Sequence, residues 1–478
     1  MDLADGIRIK LDNKGIHQLW QIGRAVGVAF PTKKKKAELI DDIIAIAKNE
    51  IEPCPRSTRG APPKSEEYDS ETVEEIFKCK QFYAQLSSEA EERQKGATMS
   101  VESEEEAEEA TYSGVLEPTE KFWFLRTQNM QITSANDVFI HLSFVNRFHL
   151  RTGDKIVCKA RRRKPNECPG VTYILSINGR SPDTPRGVPF ESLTPCYPDR
   201  RITLERADGN LTDRIIDLFS PIGFGQRALI VSPPKAGKTT MLKDIASGIR
   251  RNHPEALVIV LLVDERPEEV TDIMRSVDGA EVVYSTFDKG DVHHTHIAGL
   301  TLEYAKRQAE TGRDVVLLLD SITRLARAHN ALANSGRTLS GGLDPQALVE
   351  PKRFFGAARN IENGGSLTII ATALVDTGSR LDDIIYEEFK STGNMEIVLS
   401  RQLAERRVFP AIDIRSSGAR KEELLLNENE LGCAAVIRGQ LGRNLTEEEL
   451  YASMKKSADN EEFCTKSQAF FKAAGGRK

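Results

Sequence analysis

Cysteine is sparse and unpatterned in this chain: seven residues in 478 (Cys54, Cys79, Cys158, Cys168, Cys196, Cys433, Cys464), odd in number and with no Cys-x-x-Cys. That argues against a disulfide framework and against a structural zinc site. Long apolar runs are missing too. None approaches the ~20 residues that cross a bilayer, so no membrane association is expected. The opening Met-Asp-Leu-Ala-Asp-Gly has neither the basic nor the apolar region of a secretory signal. An intracellular protein is the expectation. At this length, with 29% charged and 39% hydrophobic residues, two to four domains each have material for a core.

Negative charge is confined rather than spread. Residues 66–109 carry 15 Asp/Glu against 4 Lys/Arg, a local −11 inside a chain of net −5, which leaves the remainder at +6. A mildly basic body with a detached acidic segment suits a polyanionic partner.

The most informative stretch is 229–242. Leu229-Ile230-Val231 reads as a buried strand. It breaks into Ser232-Pro233-Pro234-Lys235-Ala236-Gly237-Lys238-Thr239-Thr240 before helical periodicity resumes at Met241, Leu242, Ile245 and Ile249. This is a phosphate loop: backbone N–H groups and a helix N-terminus face an anion, Lys238 reaches β/γ phosphates, and the Thr239 hydroxyl ligates Mg²⁺. Ser232 stands where the first glycine of the motif usually sits. Two prolines stiffen the loop because each fixes its own φ.

Around it the chain divides into five parts. Residues 1–50 form an N-terminal helical segment, with stripes Ile16, Leu19, Trp20, Gly23 and Leu39, Ile40, Ile43, Ile44, Ala47; Thr32 reads as the N-cap of the second helix, and Lys33 to Lys36 as a basic opening. Residues 51–111 turn to Pro, Ser and Glu and read as an acidic, disordered linker, although Val73, Ile76, Phe77, Phe82 and Tyr83 give 71–86 a helical pattern. Residues 112–180 hold five short strands separated by turn residues, which fits an oligonucleotide-binding type (OB-type) β-barrel. Residues 181–200 are a proline-rich linker. Residues 201–478 alternate strands and helices to about 415, the pattern of a wound α/β domain.

The barrel stretch carries Phe122-Trp123-Phe124 followed by Arg126. Bases stack on aromatic rings while a basic groove follows the phosphates. Alternation puts Phe122 and Phe124 on one face and Trp123 on the other. One face is core; the other, with Arg161-Arg162-Arg163-Lys164 nearby in sequence, is read as a nucleic-acid surface. In the α/β domain two apolar strands end in carboxylates: Leu257 to Val263 at Asp264-Glu265, and Val315 to Leu319 at Asp320. Open α/β sheets bind ligands at those strand ends. Asp320 is therefore the expected Mg²⁺ partner of Thr239, and Glu265 the carboxylate that orients an attacking water. Hydrolysis also needs an arginine at the developing charge, and Arg324, Arg327, Arg353, Arg359, Arg407 and Arg420 are all open candidates. Two glycine-rich loops, 335–342 and 376–380, each place an arginine in mobile small-residue backbone near phosphate.

At this point the chain resembles the bacterial transcription termination factor Rho family, RNA-dependent ATPases and RNA/DNA helicases of the RecA-type superfamily. The likeness covers about 112–425. It is densest in Pro233-Pro-Lys-Ala-Gly-Lys-Thr239, Asp264-Glu-Arg-Pro-Glu-Glu-Val-Thr271, Leu319-Asp-Ser-Ile-Thr-Arg-Leu-Ala-Arg327, Pro351-Lys-Arg-Phe-Phe-Gly-Ala-Ala-Arg-Asn360, Ile385-Tyr-Glu-Glu-Phe-Lys390 and Arg407-Val-Phe-Pro-Ala-Ile412. The resemblance implies a RecA-like ATPase in a homohexameric ring, in the bacterial cytoplasm, with ATP and Mg²⁺ at subunit interfaces. ATP then meets Pro234 to Thr240, Asp320, Arg266, Arg324 and the adenine-stacking Phe409. Lys238, Glu265 and Arg420, the last donated by a neighbour, act in hydrolysis. Phe122, Phe124, Arg126 and Phe139 form a primary RNA site; Arg337, Thr338, Gly341, Thr377, Gly378, Ser379 and Arg380 line a central channel. The partners implied are single-stranded nascent RNA and RNA polymerase. Departures are Lys121 and Trp123 where the family has glycines, Val171 where it has a stacking tyrosine with Tyr173 two residues on, and Arg380 in place of lysine. Two other readings share the phosphate loop: a rotary or secretion ATPase, and an RNA-packaging protein with an idle motor.

Overall fold

The computed structural model describes residues 3–12, 14–48, 51, 53–54, 72–73, 76–77, 79–80, 109–120, 122–131, 137–162 and 167–475. Two compact units result, 1–105 and 106–478. In the first, helices Leu3–Asp12, Ile16–Val26 and Lys36–Ala47 pack through Leu19, Ile22, Leu39, Ile40 and Ile43. Helical residues 72–73, 76–77 and 79–80 add Val73, Ile76 and Cys79 to the same core. The helical pattern read at 71–86 is thus present where described, and that part of the supposed linker belongs to a folded body; Phe82, Tyr83 and most of the acidic segment lie outside the described residues. The N-cap of Lys36–Ala47 is Lys35, not Thr32. Thr32 sits inside the one-turn helix Pro31–Lys33, and the Glu38 side chain accepts from the Lys35 N–H at 3.3 Å. Two of the four lysines are satisfied internally: Lys34 on Asp42, and Lys36 on the Asp12 carbonyl at 2.7 Å.

In the second unit, strands β1 (Glu109–Pro118), β2 (Trp123–Arg126), β3 (Val138–Ile140), β4 (Lys155–Arg161) and β5 (Gly170–Ile177) close a barrel in the order β1-β2-β3-β5-β4. All five fall on the stretches predicted, but β1 begins at Glu109, inside the segment read as linker. Leu116, Leu125, Val138, Ile156, Cys158 and Ile174 fill the interior, with Trp123 packed against them. Trp123 therefore marks the core face, leaving Phe122 and Phe124 outside.

The chain then runs through β6 (Pro195–Cys196), β7 (Arg201–Ile202) and β8 (Ile222–Gly223) into the motor sheet. That sheet comprises β9 (Arg227–Ser232), β10 (Leu257–Glu265), β11 (Glu281–Thr286), β12 (Asp314–Asp320), β13 (Arg359–Ile361), β14 (Ser366–Leu374), β15 (Met395–Val398) and β16 (Gly418–Ala419). Its order is β11-β10-β12-β14-β9-β15-β16, parallel from β11 to β15. Continuous apolar runs suit strands covered on both faces: every residue from Leu257 to Val263 is buried. The proline-rich stretch is no free linker. Phe190 is wholly buried in the motor core, and β6 pairs with β13.

Candidate active site and nucleic-acid interface

β9 delivers the chain to the loop 233–237, and the helix Lys238–Asn252 begins at once. Gly237 occupies the N-cap position at φ 95° with no side-chain cap, so the first N–H groups of the helix face outward unclaimed by a capping side chain. Lys235 also lies at positive φ (65°) and is exposed. Ser232, in place of the usual glycine, is buried and donates its hydroxyl to the Pro233 carbonyl at 2.9 Å. The loop therefore accommodates a side chain there because its hydroxyl is satisfied internally.

Lys238 Nζ donates to Asp320 and, at 3.2 Å, to Glu265. Both carboxylates are almost fully buried. Burial disfavours the Lys238 ammonium, yet Asp320 and Glu265 outweigh it and hold its pKa above the ordinary lysine value. Burial lifts the Glu265 carboxyl above the ordinary glutamate range, against the pull of Lys238 and with help from Asp320. A raised carboxylate in a cleft marks a functional position. Its aim comes from a β-bulge: the β10–β11 register shifts between Val263 and Glu265, with Asp264 at φ 58°. Bulges re-aim side chains next to active sites.

Asp320 ends β12, and Thr372 donates to its Oδ1 at 2.8 Å. Its Oδ2 is buried with no hydrogen-bond partner. An orphaned carboxylate oxygen close to the phosphate loop fits a magnesium-bound water. The helix after β12 is capped by Ser321, whose hydroxyl accepts from the Arg324 N–H at 3.2 Å, so Asp320 is not consumed as an N-cap. Arg324 is held on the Asp264 side chain at 3.0 Å with a nitrogen 3.6 Å from Glu265; Arg266 is exposed at the N-cap of the helix Pro267–Ser276, which follows β10.

Beside the loop lies a cavity of about 370 Å³ lined by Leu211, Thr212, Gly237, Thr240, Met241 and Phe409. Phe409 is 47% exposed, and a Cβ on Gly237 would stand 3.9 Å from its ring. The dimensions and aromatic wall suit a purine. Leu211, Thr212 and Met241 were not legible as site residues, since nothing in their local pattern separates them from ordinary helix positions.

Arg420 is elsewhere. Its N–H donates to the Asn394 carbonyl at 2.8 Å, at the amino end of β9 and β15, whereas the phosphate loop leaves the carboxyl end. Six residues of β9 separate the two ends, about 17 Å at ~3.3 Å per residue. Burial first, then Arg420 and Arg359, depress the nearby Arg227 guanidinium. Arg420 lines an open cleft of about 540 Å³ with Lys390, Arg415, Lys421 and Arg438, and among the described residues no carboxylate pairs with it. Of the other arginine candidates, Arg327 is committed to Asp382, Arg353 to Glu350, and Arg359 lies over the Phe190 ring at 4.6 Å.

The two glycine-rich loops meet. A Cβ on Gly341 (φ 72°) would come within 2.7 Å of Ile384 and 3.3 Å of the Arg380 carbonyl. Asp344 ties the base of the first loop to Ser335 at 2.7 Å; Asp382 ties the second to Thr377 at 2.5 Å. Arg337, Thr338, Thr377, Gly378 and Arg380 are exposed, Ser379 and Gly341 partly so.

On the barrel, Phe122, Phe124 and Phe139 form a triangle of edge-to-face rings with centroids 5.7 to 6.5 Å apart, Phe122 being 45% exposed. Arg126, expected in the primary RNA site, is turned inward. It is 7% exposed, with its guanidinium on Glu117 and, at 2.6 Å, on Asp137, and it lies 5.5 Å from the Phe124 ring. Two carboxylates claim the cation, which lies beside the Phe124 ring. Val171 packs against the core while Tyr173 is 60% exposed; pairing shifts between Lys159 and Ala160, and the bulge turns both Thr172 and Tyr173 outward. Lys121, Arg163 and Lys164 lie outside the described residues.

A phosphate loop with two strand-end carboxylates on a parallel sheet, joined to a small barrel with an exposed aromatic triangle, defines a P-loop nucleotide hydrolase bearing a nucleic-acid-binding module. Residues 213–419 match the model of the ATP synthase alpha/beta family nucleotide-binding domain, and 112–183 that of the Rho termination factor RNA-binding domain. The chain is 56% identical over 356 residues to transcription termination factor Rho of Bacillus subtilis, covering 73% of this chain and 83% of that one. It is 52% identical over 361 residues to the Rho of Borreliella burgdorferi (74% and 70%), and 53% over 339 to that of Pseudomonas aeruginosa (69% and 81%). The chain belongs to the transcription termination factor Rho family.

Proposed function

We propose that this protein is an ATP-driven RNA translocase and helicase that captures nascent single-stranded RNA on its barrel, threads it through a homohexameric ring and terminates transcription by RNA polymerase in the bacterial cytoplasm. The observation that carries the reading is the separation of Arg420 from the phosphate loop of its own chain. An arginine needed at the developing charge is worth ~10³–10⁵ in rate. Here Arg420, exposed and with no carboxylate partner among the described residues, sits at the opposite end of the sheet, so in this reading a second copy completes the site.

In this reading the phosphate loop and Lys238 hold the β and γ phosphates of ATP, and Phe409 stacks on adenine. Thr239 and Asp320 would hold Mg²⁺, which would supply positive charge to offset that of the phosphates. Lys238 leaves Asp320 and Glu265 for the phosphates, and Glu265, relieved of its cation, takes a proton from water as the water oxygen bonds to the γ-phosphorus and the bond from that phosphorus to the bridging oxygen breaks, releasing ADP and phosphate. Arg266 and Arg324 lie where nucleotide state is felt at the boundary with the next protomer. Arg337, Thr338, Gly341, Thr377, Gly378, Ser379 and Arg380 grip RNA in the channel, and the contact between their two loops makes them move together.

Mixing subunits tests it. Lys238→Ala and Arg420→Ala proteins are each expected to be inactive, and their mixture to recover RNA-dependent ATPase activity, because some interfaces then pair an intact phosphate loop with an intact arginine. No recovery, or ATPase activity indifferent to poly(C), would contradict the reading; the latter would favour a secretion-type ATPase.

A further inference from the structure

The backbone that carries Arg420 is pinned from three sides. Its N–H donates to Asn394, on the sheet. Two residues on, Glu422 pairs with Arg438 of the helix Glu428–Gln440 at 2.9 Å. Between them Lys421 adopts φ 59°, a conformation that a residue with a side chain keeps only where its surroundings over-determine it. The third anchor explains it: Lys421 Nζ lies 3.8 Å above the centroid of the Tyr197 ring. A cation over an aromatic face is attracted by the ring quadrupole.

Tyr197 belongs to neither barrel nor motor core. It lies in the stretch that leaves the barrel, directly after β6, which pairs with β13. Its carbonyl accepts from Asn360 Nδ2 at 3.3 Å, and the same amide donates to Asp199 at 3.0 Å. The backbone of Tyr197 is thereby fixed to the motor while its ring is 58% exposed and offered to Lys421. We propose that Tyr197 is a positioning residue for Arg420, acting through Lys421, so that the strand of chain arriving from the RNA-binding barrel sets the aim of the arginine given to the next subunit. This rests on Arg420 completing a neighbour's ATP site. In the Sequence analysis Tyr197 carried no signal at all, being one aromatic in a proline-rich connection.

The test compares Tyr197→Leu, Tyr197→Phe and Arg420→Ala in the full-length protein, measuring RNA-dependent ATP hydrolysis, ATP KM, RNA affinity and thermal unfolding. Tyr197→Leu is expected to lower kcat by roughly two- to fivefold, the worth of a cation–π contact at an exposed site, with KM, RNA affinity and melting temperature unchanged. Tyr197→Phe keeps the ring face and should restore parental kcat. Equal loss in the Phe and Leu variants, or a Leu variant with parental kcat beside a dead Arg420→Ala protein, would overturn the inference alone. Parental turnover in Arg420→Ala would instead remove the reading of that arginine on which it rests.

Discussion

Glu117, on the first barrel strand, is hydrogen-bonded to Nε2 of His296, on the motor helix Asp291–Glu310, while its other oxygen takes the guanidinium of Arg126 beneath Phe124. One buried carboxylate thus joins the aromatic triangle to the motor. Burial works against its charge, but His296 and Arg126 outweigh burial and hold its pKa below the ordinary 4.5. A depressed carboxylate stabilises the fold above its unfolded pKa, and that contribution is lost as pH falls through the depressed value. Unfolding followed by intrinsic fluorescence should therefore show it intact at neutral pH and disappearing only below pH 4.5. Glu117→Ala, which removes one of the two carboxylates on Arg126 and the partner of His296, is expected to cost about 1–3 kcal/mol in urea denaturation at pH 7.

Removing Lys238 leaves Asp320 and Glu265 as two buried carboxylates without their shared cation. Lys238→Ala should abolish ATP turnover and leave RNA binding by the barrel within about twofold, since an ion pair in the motor has no contact with the aromatic triangle. Filter binding beside a phosphate-release assay checks this; a parallel loss of RNA affinity would show that the two sites are not separable.

Phe122 and Phe124 offer their rings to solvent. Alanine at either should weaken single-stranded RNA binding by ~1–3 kcal/mol. At saturating RNA the ATPase rate should approach the parental value. Lost turnover with RNA affinity intact would contradict the assignment of the barrel as the RNA site.

Glu265 must be ionised to receive a proton. Because burial raises its pKa in the nucleotide-free protein, the acid limb of the kcat/KM–pH profile should lie above the 4.5 of an ordinary glutamate. Glu265→Gln should remove that limb together with at least ~10² of the rate.

Gly341 is the point where the two glycine-rich loops touch. Alanine there meets Ile384 at 2.7 Å and must hold φ 72°. Gly341→Ala is expected to depress RNA-stimulated hydrolysis several-fold while basal nucleotide binding, read with a fluorescent ATP analogue, stays unchanged.

Local patterns were enough for the phosphate loop, the barrel strands and the carboxylates Glu265 and Asp320, because each rests on residue types at short spacing: a glycine–lysine–threonine run before a helix, alternation in short strands, acids ending apolar runs. The start of the helix at Lys36 was misplaced because Pro31 and Thr32 make a short helix of their own. The burial of Arg126 was not legible because Glu117 and Asp137, its partners, lie 9 and 11 residues away across strands. The base cavity, the meeting of the two loops, the Glu117–His296 bridge and the Tyr197–Lys421 contact all join residues from separate elements, up to 224 apart in the last case. No periodicity encodes such contacts; the order of strands in the sheet brings them together. The residue types of the phosphate site are therefore written along the chain, whereas the distance of Arg420 from that site exists only once the sheet is assembled, because strand order alone sets which end of β9 each residue meets.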